Sequence, residues 1–307
     1  MSKKVQCKSA VLFINLLKKN SAILRDQIKS ELEKKDIDVT IFSFEGKPGE
    51  PPAGKWDIAF SLGGDGTVLY TARCLAPLGI PILPVNLGTL GFIAEVEKDG
   101  WLDVFSKWEN GEVSISRRCM FNISVERRKE QNSKIVMENI CLNDAVVSAS
   151  GIAKLINLDV HIINNEQSML NGIALGSFRC DGLIISTPTG STAYSMAAGG
   201  PILEPEMEAV ILNPICPFTL SNRPFVLPSR QILTITVTKE QRSKTHGSGV
   251  ILTVDGQDTF DLECSDKVVI KQSKHQALLI LEGKHTYYSA LRNKLFWSPS
   301  LAGDINA

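Results

Sequence analysis

Gly63-Gly64-Asp65-Gly66-Thr67 decides the fold of this 307-residue chain, because of what stands on either side of it. Before it runs Asp57-Ile58-Ala59-Phe60-Ser61-Leu62, a short apolar stretch of the kind that forms a buried parallel strand. After it, Val68-Leu69-Tyr70-Thr71-Ala72-Arg73-Cys74-Leu75 reads as the opening of a helix. Strand, glycine-rich turn and helix together aim backbone N–H groups and the positive end of a helix dipole at phosphate. Three glycines in four positions allow φ > 0 and a close approach of ligand to backbone. The carboxylate of Asp65 is out of place in a plain phosphate cradle, since like charges repel. It makes sense if it takes a proton from an attacking hydroxyl or helps to position a metal. A tight turn with a helix-capping Asp is the alternative that this stretch alone leaves open.

Outward from the turn, the first third of the chain alternates strand and helix. Ala10–Ile14 and Asp38–Phe44 read as strands, with a helix between them whose Leu24, Ile28 and Leu32 recur every four positions behind a cap at Asn20-Ser21. Gly46-Lys47-Pro48-Gly49-Glu50-Pro51-Pro52-Ala53-Gly54 excludes regular structure and predicts an exposed, mobile loop. Pro81–Val85 is a further buried strand, ending in a second glycine turn, Asn86-Leu87-Gly88-Thr89-Leu90-Gly91-Phe92. Repeated β-α-β units imply a doubly wound, Rossmann-like parallel sheet whose ligands sit beyond the C-terminal strand ends, where both glycine turns lie. Trp101–Trp108 reads as one more helix.

From about Ser114 the pattern changes to period two. Phe121–Glu126, Asn143–Ser148, Leu155–Ile163, Gly182–Thr187, Leu233–Val237, Val250–Val254, Val268–Lys271 and Ala277–Leu281 predict a mostly antiparallel β domain. The division expected is an α/β N-terminal domain over 1–115 and a β-rich domain over 116–283. A helical tail within 284–307, patterned over Tyr287–Phe296, packs back on the first domain.

Composition sets limits on partners. Lys and Arg number 33, as do Asp and Glu, so the formal charge is zero and a polyanionic partner is not indicated. The pairs Arg117-Arg118 and Arg127-Arg128-Lys129 lack interleaved aromatics and read as a solvated strand edge, not a nucleic-acid surface. Seven scattered cysteines without a C-x-x-C pair indicate reduced thiols in the cytoplasm. The histidines, His161, His246, His275 and His285, show no metal-ligand spacing. No stretch is long and apolar enough for a membrane span.

A second constellation runs from Arg179-Cys180-Asp181-Gly182 through Ser186-Thr187-Pro188-Thr189-Gly190-Ser191-Thr192-Ala193-Tyr194 to Gly199-Gly200-Pro201. An apolar strand opens here into a turn full of hydroxyls, followed by a small-residue helix expected from Ser191. Hydroxyls and a helix N-terminus supply donors, small side chains admit a flat ligand, and Tyr194 can cover a ring. A well-capped helix after a strand is the plainer reading. Asn143-Asp144, opening a strand, adds a neutral donor–acceptor and an acid.

Taken in order, these motifs resemble the NAD kinase (ATP-NAD kinase) family. That family carries a GGDGT turn, an N-L-G-x-L-G-F turn, an N-[DE]-A pair and an R-x-D-G…S-T-P-T-G-S-T-A-Y…G-G-P run, and here they span residues 57–296. The resemblance implies that Asp65 is the catalytic acid–base, deprotonating the 2′-hydroxyl of the adenosine ribose of NAD. Gly63, Gly64, Gly66 and Thr67 would face the phosphates of ATP, which carries Mg²⁺. Gly66 and Phe92 would line the NAD pocket, and Asn143 and Asp144 would hold adenine and ribose. Asp181, Thr189, Thr192, Ala193 and Tyr194 would contact the dinucleotide, partly across the interface of a homodimer or homotetramer. Arg179 bears on the choice between NAD and NADH, and arginine there suggests NAD.

The chain departs from the family at three places. Phe218 and Asn222 of Cys216-Pro217-Phe218-Thr219-Leu220-Ser221-Asn222-Arg223-Pro224 replace a His and a Phe, and Ala197 replaces a Ser that would offer NAD a hydroxyl. Val254-Asp255-Gly256-Gln257 matches a D-G-Q turn of the family, with Gln257 counted among the NAD-pocket residues. The GGDGT turn alone is also compatible with a lipid kinase. A dinucleotide-binding sensor without catalysis is the non-enzymatic alternative.

Overall fold

The computed structural model describes residues 4–46, 48–88, 91–129, 132–151, 154–163, 172–219, 221–238, 249–281 and 284–296. Lys47, Thr89, Leu90, Leu220, His246 and the tail beyond Phe296 lie outside the described residues. Contacts divide the chain into two compact units. The described residues of Met1–Arg117 and Ala277–Ala307 make one, and those of Arg118–Gln276 make the other.

The first unit begins β1 (Ser9–Asn15), α1 (Ser21–Glu33), β2 (Asp38–Phe44), β3 (Ile58–Gly63), α2 (Asp65–Leu75), β4 (Ile82–Asn86), β5 (Val96–Glu97), α3 (Trp101–Glu109) and β6 (Ile115–Arg118). The chain then builds the second unit from β7 (Phe121–Lys129), β8 (Asn132–Cys141), β9 (Asp144–Ala149), β10 (Ile156–Ile163), β11 (Ile173–Cys180), β12 (Gly182–Ser186) and the one-turn helix α4 (Tyr194–Ala197). It continues with β13 (Ala209–Ile215), β14 (Phe225–Pro228), β15 (Ile232–Val237), β16 (Val250–Val254), β17 (Asp258–Leu262) and β18 (Lys267–Gln272). Finally it returns to the first unit as β19 (Ala277–Ile280) and α5 (Lys284–Leu295).

The first sheet runs β2-β1-β3-β4-β19-β6, with β5 paired to β4. β1 pairs in parallel with β2 on one side and β3 on the other, so the chain reverses direction across the sheet at β1/β3. That reversal is a topological switch point, the usual place for a ligand crevice. Strand alternation sorts the helices to opposite faces. Leu12, Phe60 and Leu62 share a core with Leu24, Ile28 and Leu32 of α1 and with Trp101, Val104 and Phe105 of α3. On the other face Phe13 packs against Tyr70 of α2, and Ser61 accepts a hydrogen bond from Thr71. The helix α1 begins as expected but without the Asn20 side-chain cap. Asn20 takes a left-handed φ of 64° and makes no capping bond.

The second unit is two antiparallel sheets, β11-β10-β15-β18-β7-β8 and β14-β13-β12-β9-β16-β17, joined by one apolar core. Phe121, Ile123, Leu158 and Ile235 of the first sheet meet Val147, Leu183, Leu212 and Leu252 of the second. This is the inward alternation of a β-sandwich.

The basic pairs are not a solvated edge throughout, which corrects the sequence reading. Arg118 is buried. Arg127 donates through Nε and Nη2 to Asp266 (2.9 and 2.7 Å), whose carboxylate is 1% exposed, and its Nη1 lies 2.6 Å from Glu263. The same Asp266 accepts the Glu263 N–H at 2.8 Å. Asp266→Ala would leave the Arg127 guanidinium to the exposed Glu263 and strand the Glu263 N–H, so it should cost about 3 kcal/mol. Urea unfolding of the intact protein reads this directly, and a loss below ~1 kcal/mol would mean that water replaces the carboxylate without penalty.

Candidate active site

The GGDGT turn sits at the C-terminal end of β3, beside the end of β4, with Gly63 in register with Asn86. Leu87 N–H donates to the Gly63 carbonyl at 2.9 Å, which fastens the second glycine turn to the first. None of Gly63, Gly64 or Gly66 has positive φ, contrary to the expectation from sequence. The chain passes from strand into helix through an extended Gly64 (φ −118°), so the turn needs no left-handed residue. What Gly63 provides is room, because a Cβ there would overlap the Thr67 side chain. Thr67 itself is buried.

Asp65, half-buried in the first turn of α2, is not a bare acceptor. Oδ2 accepts the Phe92 N–H (3.0 Å), and Oδ1 accepts those of Ile93 (3.2 Å) and Ala94 (2.9 Å). Gly91 must be glycine for this geometry, since a Cβ would run into the Asp65 carboxylate. A carboxylate has about four acceptor sites. Among the described residues three are filled, and one on Oδ2 remains to meet a hydroxyl. The Lys294 ammonium of α5 lies over the Phe92 ring, 4.3 Å from its centre.

In the second unit, Asn143, Asp144, Ala193 and Tyr194 line one cleft of about 310 Å³ together with Val146, Ser148, Thr253, Asp255 and Gly256. The Asn143 Oδ1 atom is buried, with no hydrogen-bond partner among the described residues, which marks it as an acceptor awaiting a ligand donor. Asp144 is also buried. Burial, and secondarily the charge of Asp255, push its pKa up to about 7.

The hydroxyl-rich turn is built differently from the expectation. In place of a helix from Ser191 there is a 3₁₀ turn over Thr189–Thr192 and the single turn α4, separated by Ala193 at φ −99°, ψ −129°. A four-residue helix offers no dipole site. Within the turn, Gly190 lies so near the Asn143 carbonyl that a Cβ would overlap it. Most hydroxyls are used internally. Ser186 and Thr187 donate to the carbonyls of Asn143 and Leu142, Thr192 donates to the Thr189 carbonyl, and Ser191 accepts the Leu203 N–H. Thr189 Oγ1 is the exception, buried and without a hydrogen-bond partner among the described residues.

Arg179, Asp181, Thr189, Thr192, Ala197 and Gln257 are not among the residues lining that cleft. Arg179 is exposed, and its guanidinium lies 4.8 Å from the ring centre of Phe218, one of the departing residues. Asp65, Gly66 and Phe92 belong to the other unit. Sequence reasoning named Asp255 only within the D-G-Q turn and gave it no role, although Asp-Gly between two alternating runs is a strong hairpin signal. Among the described residues, no group of three or more His, Cys, Asp or Glu side chains is placed to hold a metal ion.

Residues 11–113 match the ATP-NAD kinase N-terminal domain, and residues 142–281 match the ATP-NAD kinase C-terminal domain. The NAD kinase of Treponema denticola is 40% identical over 300 residues, covering 97% of this chain and all of that protein. The chain belongs to the ATP-NAD kinase family. The NAD kinase of Geobacter sulfurreducens is 39% identical over 241 residues, 78% of each chain. Yeast NADH kinase, in a structure with NADH, superposes with a TM-score of 0.82 at 22% identity, covering 97% of this chain and 93% of that one. An NAD kinase from Archaeoglobus fulgidus in complex with ATP gives 0.66 at 23%, covering 92% and 97%. Those two share the fold. Membership of the NAD kinase family sets the lipid-kinase and sensor readings aside.

The raised Asp144 has a consequence for stability. Between pH 4 and 7 the folded protein holds a proton there that the unfolded chain has lost, so stability falls as pH rises through that window. Asp144→Asn removes the effect. Relative to wild type, the variant should gain stability towards pH 8, by on the order of 4 kcal/mol at most, and little at pH 4. Denaturant unfolding at both pH values checks this, and a difference independent of pH would show that Asp144 ionises as an ordinary carboxyl group.

Proposed function

We infer that this member of the family is an NAD kinase that transfers the γ-phosphate of ATP to the 2′-hydroxyl of the adenosine ribose of NAD, giving NADP. The observation that carries the mechanism is the acceptor site on Asp65 Oδ2 left unfilled among the described residues, after the strand β3 and at the start of α2. Asp65 is the general base in this reading. A ribose hydroxyl is far less acidic than an ordinary carboxylic acid, whose pKa is ~4. The proton therefore passes to Asp65 late, as the ribose oxygen bonds to the γ-phosphorus and the bond to the β-phosphate oxygen breaks. Such help is typically worth ~10²–10⁴ in rate. The larger share comes from positioning and charge neutralisation.

Gly63, Gly64, Gly66 and Thr67 are assigned to the ATP phosphates, with Mg²⁺ arriving on those phosphates as part of the substrate. The α/β unit, Met1–Arg117 with Ala277–Ala307, carries that turn, and the β-rich unit, Arg118–Gln276, carries the dinucleotide pocket. Gly66 and Phe92 border NAD. Asn143, with its unpartnered buried oxygen, and Asp144 hold adenine and ribose, and Tyr194 covers a ring. Asp181, Thr189, Thr192, Ala193, Ala197 and Gln257 are assigned to the same dinucleotide, and Arg179 to the preference for NAD over NADH. The assembly proposed is a homodimer or homotetramer in the cytoplasm. Among the described residues no helix is long and apolar enough to cross a membrane.

The test is a coupled assay in which protein, Mg·ATP and NAD are incubated and NADP is read with an NADP-specific dehydrogenase. Wild type should form NADP. Asp65→Asn keeps an oxygen for the Ile93 and Ala94 amides, so it should bind NAD within a few-fold of wild type yet lose about 10²-fold or more in kcat. A kcat near wild type would remove Asp65 as the base. Tyr194→Ala should raise KM for NAD, and an unchanged KM would take Tyr194 out of the pocket.

A further inference from the structure

We propose that Asp255 is a positioning residue of the dinucleotide pocket, its carboxylate fixing the backbone of residues 142–144 so that the Asn143 and Asp144 side chains meet the ligand. The proposal rests on the assignment of Asn143 and Asp144 to NAD. Asp255 opens the tight turn between β16 and β17, where Gln257 N–H donates to the Val254 carbonyl at 2.9 Å. Asp255 and Gly256 both take positive φ (51° and 66°), as the two central residues of a hairpin turn do. In that conformation the Asp255 carboxylate reaches three consecutive amides. Oδ2 accepts the Leu142 N–H (3.0 Å), and Oδ1 accepts those of Asn143 (2.7 Å) and Asp144 (3.2 Å).

Three successive N–H groups converging on one point form an anion-binding nest, and this nest is occupied by the protein's own anion. The carbonyls of the same segment are fixed as well. Asp144 accepts the Asp255 N–H (2.9 Å), Asn143 accepts the Thr187 N–H (2.8 Å) and the Ser186 hydroxyl (3.2 Å), and Leu142 accepts the Thr187 hydroxyl. Every backbone polar group of Asn143 therefore has a partner, while its side-chain Oδ1 is buried without one. A segment clamped so fully, with one side-chain acceptor left over, is preorganised for a ligand donor.

The charge of Asp255 also reaches the ligand site through Asp144. The titratable groups around Asp144 are Asp255 on the hairpin turn, the Cys141 thiol at the end of β8 and the Tyr194 hydroxyl on α4. β12 presents Ser186 opposite Asp144, which does not titrate in the working range. Asp144 accepts a ribose hydroxyl more strongly as a carboxylate than as a neutral acid, so kcat/KM for NAD should rise with pH through about 7 in wild type. Removing the Asp255 charge leaves the burial, the larger cause, and moves that limb to lower pH.

Asp255→Asn is the discriminating variant, because Asn tolerates the left-handed backbone and changes only the charge and one acceptor. Binding of NAD by calorimetry, KM for NAD and for ATP, and the pH profile of kcat/KM are measured for Asp255→Asn, Asn143→Ala and wild type. Asp255→Asn should weaken NAD about tenfold or more, as expected for the loss of charge-assisted hydrogen bonds. KM for ATP should stay put, and the acid limb should move down in pH. Wild-type NAD affinity and an unmoved limb in Asp255→Asn, with NAD weakened in Asn143→Ala, would overturn the role of Asp255 and leave the pocket standing. Wild-type affinity in Asn143→Ala would overturn the pocket assignment and the proposal with it. Amide hydrogen exchange on the ligand-free wild type tests the nest without any variant. The Leu142, Asn143 and Asp144 amides should exchange slowly, and exchange at surface rates would overturn the proposal.

Discussion

A carboxylate gathering successive backbone amides is the interaction on which both halves of this chemistry depend. Asp65 gathers the amides of Phe92, Ile93 and Ala94, and Asp255 gathers those of Leu142, Asn143 and Asp144. Asp57 does the same on a smaller scale for Lys8 and Ser9 at the start of β1. In each case N–H groups in a turn or at the start of a strand find a partner in a side chain from far along the sequence. Buried amides without partners are costly, so these acids decide where the ligand-facing turns can settle. Gly91 and Gly190 follow from the same constraint. Each stands where a neighbouring oxygen leaves no space for a side chain.

This arrangement gives Asp65 two duties. As an anchor it holds the turn that carries Phe92, and as a base it offers its remaining acceptor site to a hydroxyl. The hydrogen bonds fix the carboxylate's orientation before any substrate arrives, so little reorganisation is left for the reaction itself. The hydroxyl-rich turn follows a similar logic. Ser186, Thr187, Ser191 and Thr192 spend their hydrogen bonds on the chain, and the shape of the pocket wall is what they contribute.

The alternation of strand and helix in the first third and the position of Asp65 at a strand end were legible in the sequence, because buried parallel strands and glycine turns leave strong local signals. β8 and β11 were not. Both are sheet edges whose residues are mostly exposed or half-buried, and neither sequence alternates apolar with polar residues as a half-buried strand does. β13 was hidden for the opposite reason, being buried almost throughout and thus without alternation. Within the candidate site, residue types were readable and partners were not. The pairing of Asp255 with the 142–144 amides spans more than a hundred positions, and no local pattern encodes it.

The order of strands in the first sheet has a consequence for biosynthesis. β19, near the end of the chain, lies between β4 and β6, both made before the β-sandwich begins. A ribosome that has produced residues 1–118 has released a sheet with its penultimate place vacant. The sandwich, by contrast, is one uninterrupted run of sequence and can close as soon as β18 emerges. The last unit to be completed is therefore the one that was begun first. Until β19 arrives, the growing chain exposes the part of the β4 edge near Ile82 that β5 leaves uncovered, a template for pairing with other chains.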